Sequence, residues 1–240
     1  MVSLTSYLYS LSTPRPYSAA TEHNFLTAAG NGTVSPKLFG FWLAQDRLYA
    51  AHAYPRFIGR LIAGIPWSST HAPGSKEEQL NQTILRVLVY SLQNVVREVG
   101  FFDEYAKKFD LQIDHWRERK ETRDYTAEMA RISAEGDILD GLVFVWAMEQ
   151  VYLDAWRYAA SVQERSSVSE DHFTRAFVAN WTNDEFVKFV NDLAGLVNSF
   201  DVKPGTERFN RLEMIWLRVV ELEEAFWPNA GEELAMGHEA

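Results

Sequence analysis

Three acidic side chains, Asp46, Glu149 and Glu223, each occupy an inward position on a predicted helix whose other inward residues are apolar. The residues in line with them are Phe39, Trp42 or Leu43, Tyr49 or Ala50 and Ala53 for Asp46; Ile138, Leu142, Val145, Tyr152 and Trp156 for Glu149; and Leu212, Ile215 or Trp216, Val219 and Phe226 for Glu223. Steps of three and four residues place each set on one side of a helix. A carboxylate in apolar surroundings is costly unless it is paired, hydrogen-bonded or protonated. Three such acids therefore predict a shared polar pocket.

Two arrangements without a ligand remain open for these acids. A single acid can lie at the edge of an apolar face or cap a buried arginine. An internal salt-bridge network could also neutralise all three acids. The arginines considered for that network are Arg47, Arg86, Arg123 and Arg218. Either arrangement would satisfy the acids without a ligand.

The elements that must position the acids are helices. Ser35–Pro36 supplies a cap and a first helical position for a helix over 35–53, which carries Asp46. The most apolar segment, 136–161, is predicted to be the central helix, and 207–226 the last. Further helices are predicted over 57–65, 76–100, 103–109, 122–134, 171–180 and 184–199. Because no segment alternates with the period of a strand, the sequence predicts an all-α, many-helix bundle.

The composition favours one packed domain. The chain has 240 residues, of which 47% are hydrophobic and 14% aromatic, enough for a substantial interior. We expect a partly ordered N-terminal arm over residues 1–20, rich in Ser, Thr, Tyr and Pro, followed by a single helical domain over 21–240. The start lacks the basic and apolar regions of a secretory signal, and no window is apolar enough to span a membrane. The expected location is therefore cytoplasmic.

Charge and residue types limit the partners. The net charge of −10 disfavours nucleic acid and anionic membranes and favours a neutral or cationic small molecule. Residues 114–125 mix basic and aromatic side chains, but interleaved acids make a solvated surface the expected structure. The absence of cysteine excludes disulfides, thiolate metal sites and a cysteine nucleophile.

No cofactor or metal site is predicted. The histidines form no HxxxH or ExxH pair, and the chain contains no GxGxxG, Walker or GxSxG motif. A haem ligand such as His23 is the alternative for a helical protein of this kind. The six histidines are His23, His52, His71, His115, His172 and His238.

Several segments resemble the TenA/THI-4 family, the thiaminase II group of the haem-oxygenase-like helical fold. Residues 22–50 are similar to its N-terminal signature, which includes a His-Asn-Phe-Leu run, a Gly-rich turn and the Gln-Asp-x-x-Tyr segment at Asp46 and Tyr49. Residues 124–129 resemble the segment that supplies a pocket tyrosine, here Tyr125, and 147–156 resemble the central active-site helix. The closing Glu-x-x-Phe-Trp segment places Glu223 at the family's catalytic acid. The resemblance covers roughly residues 20–230.

This resemblance implies a hydrolase of thiamin pyrimidine salvage, which cleaves a C–N bond of an aminomethyl- or formylaminomethyl-pyrimidine. Asp46 would accept hydrogen bonds from the exocyclic amine and the ring, and Tyr49 and Tyr125 would frame the ring. Glu223 would pass a proton to the leaving nitrogen. An aromatic frame, a carboxylate and a tuned acid suit this chemistry. Tyr152, in line with Glu149, is included among the predicted substrate-binding residues.

Two positions depart from the family pattern. Met148 occupies the place of the nucleophilic cysteine, and a thioether cannot replace a thiolate. The chain thus resembles the cysteine-free branch, with water as the attacking species and Glu149 or Glu223 to activate it. Trp181, a predicted substrate contact, stands where many relatives have tyrosine.

The alternatives to a hydrolase are a non-catalytic pyrimidine-binding or regulatory protein and an oxygenase or haem-binding member of the same fold. The family resemblance also predicts a homo-oligomer, either a dimer or a tetramer.

Overall fold

The computed structural model describes residues 2–237, which form helices joined by turns and loops. The helices are α1 (Leu4–Tyr9), α2 (Ser18–Thr21), α3 (Asn24–Gly30), α4 (Pro36–Leu48), α5 (Tyr54–Ala63), α6 (Lys76–Lys108), α7 (Lys120–Glu135), α8 (Ile138–Glu164), α9 (Phe173–Thr182), α10 (Asp184–Asn198), α11 (Glu207–Phe226) and α12 (Glu233–Met236). No β-strand occurs within 2–237; the nearest feature is one isolated antiparallel bridge between Trp116 and Gly237. The all-α prediction is confirmed. The predicted domain extends to residue 240, and its last three residues, including His238, lie outside the described residues.

Helix α8 is the centre of the bundle, as its apolar sequence predicts. Every residue from Leu139 to Met148 is buried, and the helix packs against α2, α3, α9, α10 and α11. Helix α5 also approaches it closely at Gly141, where an added Cβ would lie 2.2 Å from a methyl carbon of Leu61. The apolar contacts around α8 fix the positions of the helices that carry the acids.

Helices α4 and α5 form one continuous helical stretch through a π-helical turn, Tyr49–Ala53. The predicted interruption before residue 57 is therefore wrong. Pro55, in the first turn of α5, has no N–H to donate, and a widened turn precedes it. The Tyr54 N–H bonds to the Tyr49 carbonyl in this turn. As a result, both tyrosines face the same cavity.

Helix α6 runs without a break over 33 residues, although two helices, 76–100 and 103–109, were predicted. Gly100 is exposed, and a glycine at an exposed helical position costs only about 1 kcal/mol. Phe102 and Ala106 beyond it continue the buried face of the helix. Their burial carries the helix past the glycine.

The N-terminal residues pack on the bundle. Ser3 caps α1, and Leu8 is fully buried. The Thr5 N–H donates to Asn198 Oδ1 at 3.0 Å, and the ring of Tyr17 stacks on Trp216 with centroids 5.7 Å apart. These contacts tie the segment before α3 to α10 and α11. Within the described part of the chain, no helix has both the length and the apolar character needed to cross a membrane.

Candidate active site

One cavity contains the three acids predicted from the sequence. About 540 Å³ of space free of protein atoms lies between α4, the π-helical turn, α5, α6, α7, α8, α10 and α11, and part of it belongs to the open mouth. It is lined by Asp46, Tyr49, Tyr54, Ser91, Asn94, Val95, Glu98, Tyr125, Met148, Glu149, Tyr152, Phe186, Glu223 and Phe226. We call it the inner cavity. Six of the seven predicted site residues line it, all except Trp181.

A tyrosine hydroxyl donates a hydrogen bond to each of the three predicted acids. Tyr152 Oη donates to Asp46 Oδ2 at 2.9 Å. Glu149 Oε1 accepts from Tyr54 Oη at 2.6 Å. Tyr125 Oη donates to Glu223 Oε1. Each acid is thereby held in a fixed orientation while its second oxygen remains available to a ligand.

A fourth acid, Glu98 on α6, also lines the inner cavity and was not predicted. The sequence contains a pattern that could have identified it. The buried residues Leu88, Ser91, Val95 and Phe102 follow steps of three and four residues that pass through position 98. The inner cavity thus has four carboxyl groups, contributed by α4, α6, α8 and α11.

No basic side chain among residues 2–237 lies within salt-bridge distance of these four acids. Arg47 Nε instead pairs with Asp103 at 2.7 Å, and Arg218 Nη1 pairs with Glu221 at 2.8 Å. The two other candidate arginines, Arg86 and Arg123, form no ion pair with any acid of the described residues. An internal salt-bridge network therefore does not account for the cavity acids.

Burial raises the pKa of all four carboxyl groups. The pKa of Glu223 rises to about 8, although the hydrogen bond from Tyr125 lowers it. Glu149 also reaches about 8, because burial and the negative charges of Glu98 and Glu223 outweigh the hydrogen bond from Tyr54.

The pKa values of the other two acids rise for the same reason. For Glu98 the value is about 7, with burial raising it and the Trp181 hydrogen bond lowering it. Burial, followed by the charge of Glu98, raises the pKa of Asp46 well above its ordinary value. At neutral pH the cavity can therefore both donate and accept protons.

Aromatic rings line the remaining wall of the inner cavity. The rings of Tyr49 and Tyr125 lie 5.2 Å apart, and that of Phe226 lies 5.8 Å from Tyr125. The Tyr49 hydroxyl donates to Met148 Sδ at 3.3 Å. Flat faces beside carboxyl groups suit a planar ligand that carries hydrogen-bonding edges.

Trp181 lies behind this wall. Its ring contacts that of Tyr152 edge to face at 5.3 Å, and its indole N–H donates to Glu98 Oε1. It also borders a second space, the outer cavity, which shares Asn94, Glu98 and Phe186 with the inner one. A direct substrate contact by Trp181 stays a prediction.

The histidine considered as a haem ligand lies elsewhere. His23 Nδ1 accepts the Phe25 N–H at 3.1 Å and caps α3, and the ring does not line the inner cavity. Burial lowers its pKa. Over residues 2–237, no group of three or more His, Asp or Glu side chains has an arrangement that could bind a metal ion.

The protein is a helical bundle with an acid-lined, aromatic pocket, and solved structures share its fold. A TenA homologue from Pyrococcus furiosus superimposes with a TM-score of 0.73 at 20% identity and covers 88% of this chain and 92% of its own. A putative TenA-like thiaminase from Sulfolobus solfataricus gives 0.65 at 14% identity, with 93% and 92% covered. The predicted haem-oxygenase-like bundle is confirmed.

The chain belongs to the TENA/THI-4/PQQC family, whose model matches residues 14–233. An aminopyrimidine aminohydrolase from Halalkalibacterium halodurans is 22% identical over 97% of both chains. A probable bifunctional TENA-E protein from Glycine max is 23% identical over 88% of this chain and 86% of its own. A probable transcription factor from Fusarium pseudograminearum is 26% identical over 83% of this chain, which spans 48% of that relative.

Proposed function

We propose that this protein is a hydrolase of thiamin pyrimidine salvage that cleaves the C–N bond of an aminomethyl- or formylaminomethyl-pyrimidine. The observation that carries the proposal is the convergence of Asp46, Glu149 and Glu223 on one cavity, with no basic side chain of residues 2–237 paired with them. The similarity to an aminopyrimidine aminohydrolase along nearly the whole chain supports the same substrate class.

Asp46 is proposed to recognise the amino edge of the pyrimidine. Its raised pKa favours the neutral carboxylic acid, which offers one acceptor and one O–H donor. An aminopyrimidine edge offers the complementary pair, an N–H donor and a ring-nitrogen acceptor. Tyr152 would keep the carboxyl in place, while Tyr49 and Tyr125 pack beside the ring.

Glu223 is proposed to supply the proton to the leaving nitrogen. A pKa of about 8 keeps this side chain protonated at neutral pH, as a general acid must be. Water is the attacking species, because Met148 has no nucleophilic thiolate. Glu149, which is fixed by Tyr54, faces the same space and would orient that water.

The experiment for this function offers the pure protein the aminomethyl and the formylaminomethyl pyrimidine and follows ammonia and formate release. We expect at least one substrate to be turned over. Tight binding of both compounds without any product would overturn the proposed enzymatic activity and favour the non-catalytic, regulatory alternative. The name of the Fusarium relative fits that alternative, but about half of its length lies outside the similarity.

Two substitutions at Asp46 test the recognition of the ring. Asp46→Asn retains a donor and an acceptor and should bind the pyrimidine within about tenfold of the wild type. Asp46→Leu has a similar size but no hydrogen-bonding group, and we expect at least about 100-fold weaker binding, since two buried polar contacts are lost. The control is Asp114→Asn on an exposed loop, which should bind like the wild type. Equal affinity of the Asn and Leu variants would contradict the proposed contact.

The other expectations from the sequence remain proposals. A cytoplasmic location and a homo-oligomer, dimer or tetramer, are two of them. The third is that the protein binds no nucleic acid. Light scattering of the pure protein would test the assembly, and a monomer at all concentrations would contradict it.

A further inference from the structure

Glu98 lies at the junction of the two cavities. It lines both the inner and the outer cavity, together with Asn94 and Phe186. The outer cavity has exposed side chains, including those of Arg97 and Glu185, whereas Asp46 and Glu223 are only 5% and 3% exposed. Of the four acids of the inner cavity, Glu98 is therefore the one that also lines the outer cavity, which opens toward these exposed side chains.

Trp181 fixes the side chain of Glu98 through the indole N–H, the one polar group of the tryptophan side chain. The Trp181 indole is 1% exposed, and its N–H donates to Glu98 Oε1. The same indole packs against Tyr152 and Trp156, with ring centroids 5.3 and 4.5 Å away, which restrict its rotation. A rigid indole donor can hold one carboxylate oxygen while the other faces the cavities.

We propose that Glu98 is the general base of this reaction, which contacts the substrate at this junction and accepts the proton of the attacking water, and that Trp181 positions it. This inference rests on the proposed hydrolysis and deepens it. Glu149 and Glu223 are held by tyrosines, and no basic side chain of residues 2–237 pairs with them. Glu98 has access to solvent through the outer cavity and can return the proton there.

The proposed step balances in atoms and charge. The water oxygen bonds to the methylene carbon of the aminomethyl substituent, and one water proton moves to Glu98. The C–N bond breaks with its electron pair on nitrogen, which takes a proton from Glu223 and leaves as ammonia. A proton exchange with solvent then restores both carboxyl groups.

The pH dependence of this step has contributions from every element around Glu98. On the inner side the titratable groups are Asp46, Glu149, Glu223 and the cavity tyrosines, whose pKa values all rise through burial. On the outer side Arg97 forms an ion pair with Glu185 at 2.9 Å. The pKa of Glu98, about 7, lies below those of Glu149 and Glu223, both about 8, so Glu98 loses its proton before these two acids as pH rises.

The decisive variant is Glu98→Gln, which keeps the shape and can still accept the Trp181 N–H. We expect kcat at pH 7 to fall at least about 100-fold, the usual effect of removing a general base, while KM changes less than about threefold. Glu104→Gln, an exposed position on the same helix, is the matched control and should retain full activity. Turnover of Glu98→Gln within threefold of the wild type would overturn the inference.

Trp181→Phe tests the positioning role. Loss of the N–H removes the hydrogen bond that lowers the pKa of Glu98, so the rise of kcat with pH should move to higher pH. The loss of kcat relative to the wild type should be large near pH 6 and small near pH 8. Loss of packing alone would not produce this pattern. Trp67→Phe, at a half-exposed tryptophan, should leave the profile unchanged.

The outcomes separate the inference from the proposed function. Absence of turnover in the wild-type protein contradicts the hydrolysis and the role of Glu98 within it. Wild-type turnover combined with an active Glu98→Gln variant contradicts only the role of Glu98. A Trp181→Phe profile lowered equally at every pH contradicts the positioning role, and thermal melting of each variant confirms that it is folded.

Discussion

The contact between α8 and α11 carries acids in two places, at the start of α8 and further along both helices, and these acids are satisfied differently. At the start of α8, Asp140 is 1% exposed and accepts hydrogen bonds from Arg211 Nε at 2.9 Å and from the Asp137 N–H at 3.0 Å. Further along, Glu149 and Glu223 receive only tyrosine hydroxyls. We call these the paired end and the unpaired end.

The contrast separates acids that lie beside arginines from acids that do not. At the paired end, the acids complete a capping box, and the arginines of α11 join that helix to α8. At the unpaired end, no basic side chain of the described residues offsets the burial of the acids, and the tyrosine hydrogen bonds offset it only in part. Burial without a cation costs stability, and it leaves carboxyl groups that can exchange protons near neutral pH.

Glu223→Gln is the substitution at the unpaired end with the largest expected effect on turnover. It removes the transferable proton but keeps an oxygen that accepts from Tyr125, so we expect turnover to fall at least about 100-fold with pyrimidine binding retained. Glu224→Gln, the neighbouring residue in a partly exposed pair with Arg15, should remain active. Steady-state kinetics of the two variants check this, and equal rates would contradict the assignment of Glu223.

The acids of the unpaired end should make the stability of the protein depend on pH. The folded protein keeps the Glu223 proton up to about pH 8, whereas the unfolded chain releases it near the ordinary value of 4.5. The free energy of unfolding therefore falls as pH rises between these values and levels off above about pH 8. Glu223→Gln should remove the part of that fall that Glu223 contributes, and should be more stable than the wild type at pH 8 by up to about 4 kcal/mol. Urea titrations at pH 5 and 8 measure the free energy of unfolding of both proteins. An equal change between the two pH values in the wild type and the variant would contradict this prediction.

Asp140→Ala addresses the paired end. We expect a loss of about 1 kcal/mol in the free energy of unfolding, because the helix cap loses an acceptor, with turnover per folded molecule unchanged. Arg211→Gln keeps that cap and removes a half-exposed cation, so it should cost only about 0.5 kcal/mol. Denaturant melts give both values. A large loss of turnover in either variant would show that the paired end also serves catalysis.

The sequence predicts the three acids of the site because each lies on a regular apolar stripe. It also predicts α8 as the central helix. It misses Tyr54, because a gap was placed around Pro55 where the chain instead passes through a π-helical turn. Hydrogen-bonded turns of this kind depend on tertiary contacts, which have no local sequence period.

Glu98 was missed for a related reason. Its helix was divided at Gly100, although burial of Phe102 carries the helix onward. The position of Trp181, behind the cavity wall and bonded to Glu98, depends on how α6 and α9 pack. Packing between distant helices sets such contacts, and one sequence does not specify them.

A structure of the protein with an aminopyrimidine bound tests the central claim most directly. We expect the ring within the inner cavity, with its amino edge hydrogen-bonded to Asp46 and its methylene substituent directed toward Glu149 and Glu223. A ring bound elsewhere, or bound in the cavity without contact to Asp46, would contradict the proposed site.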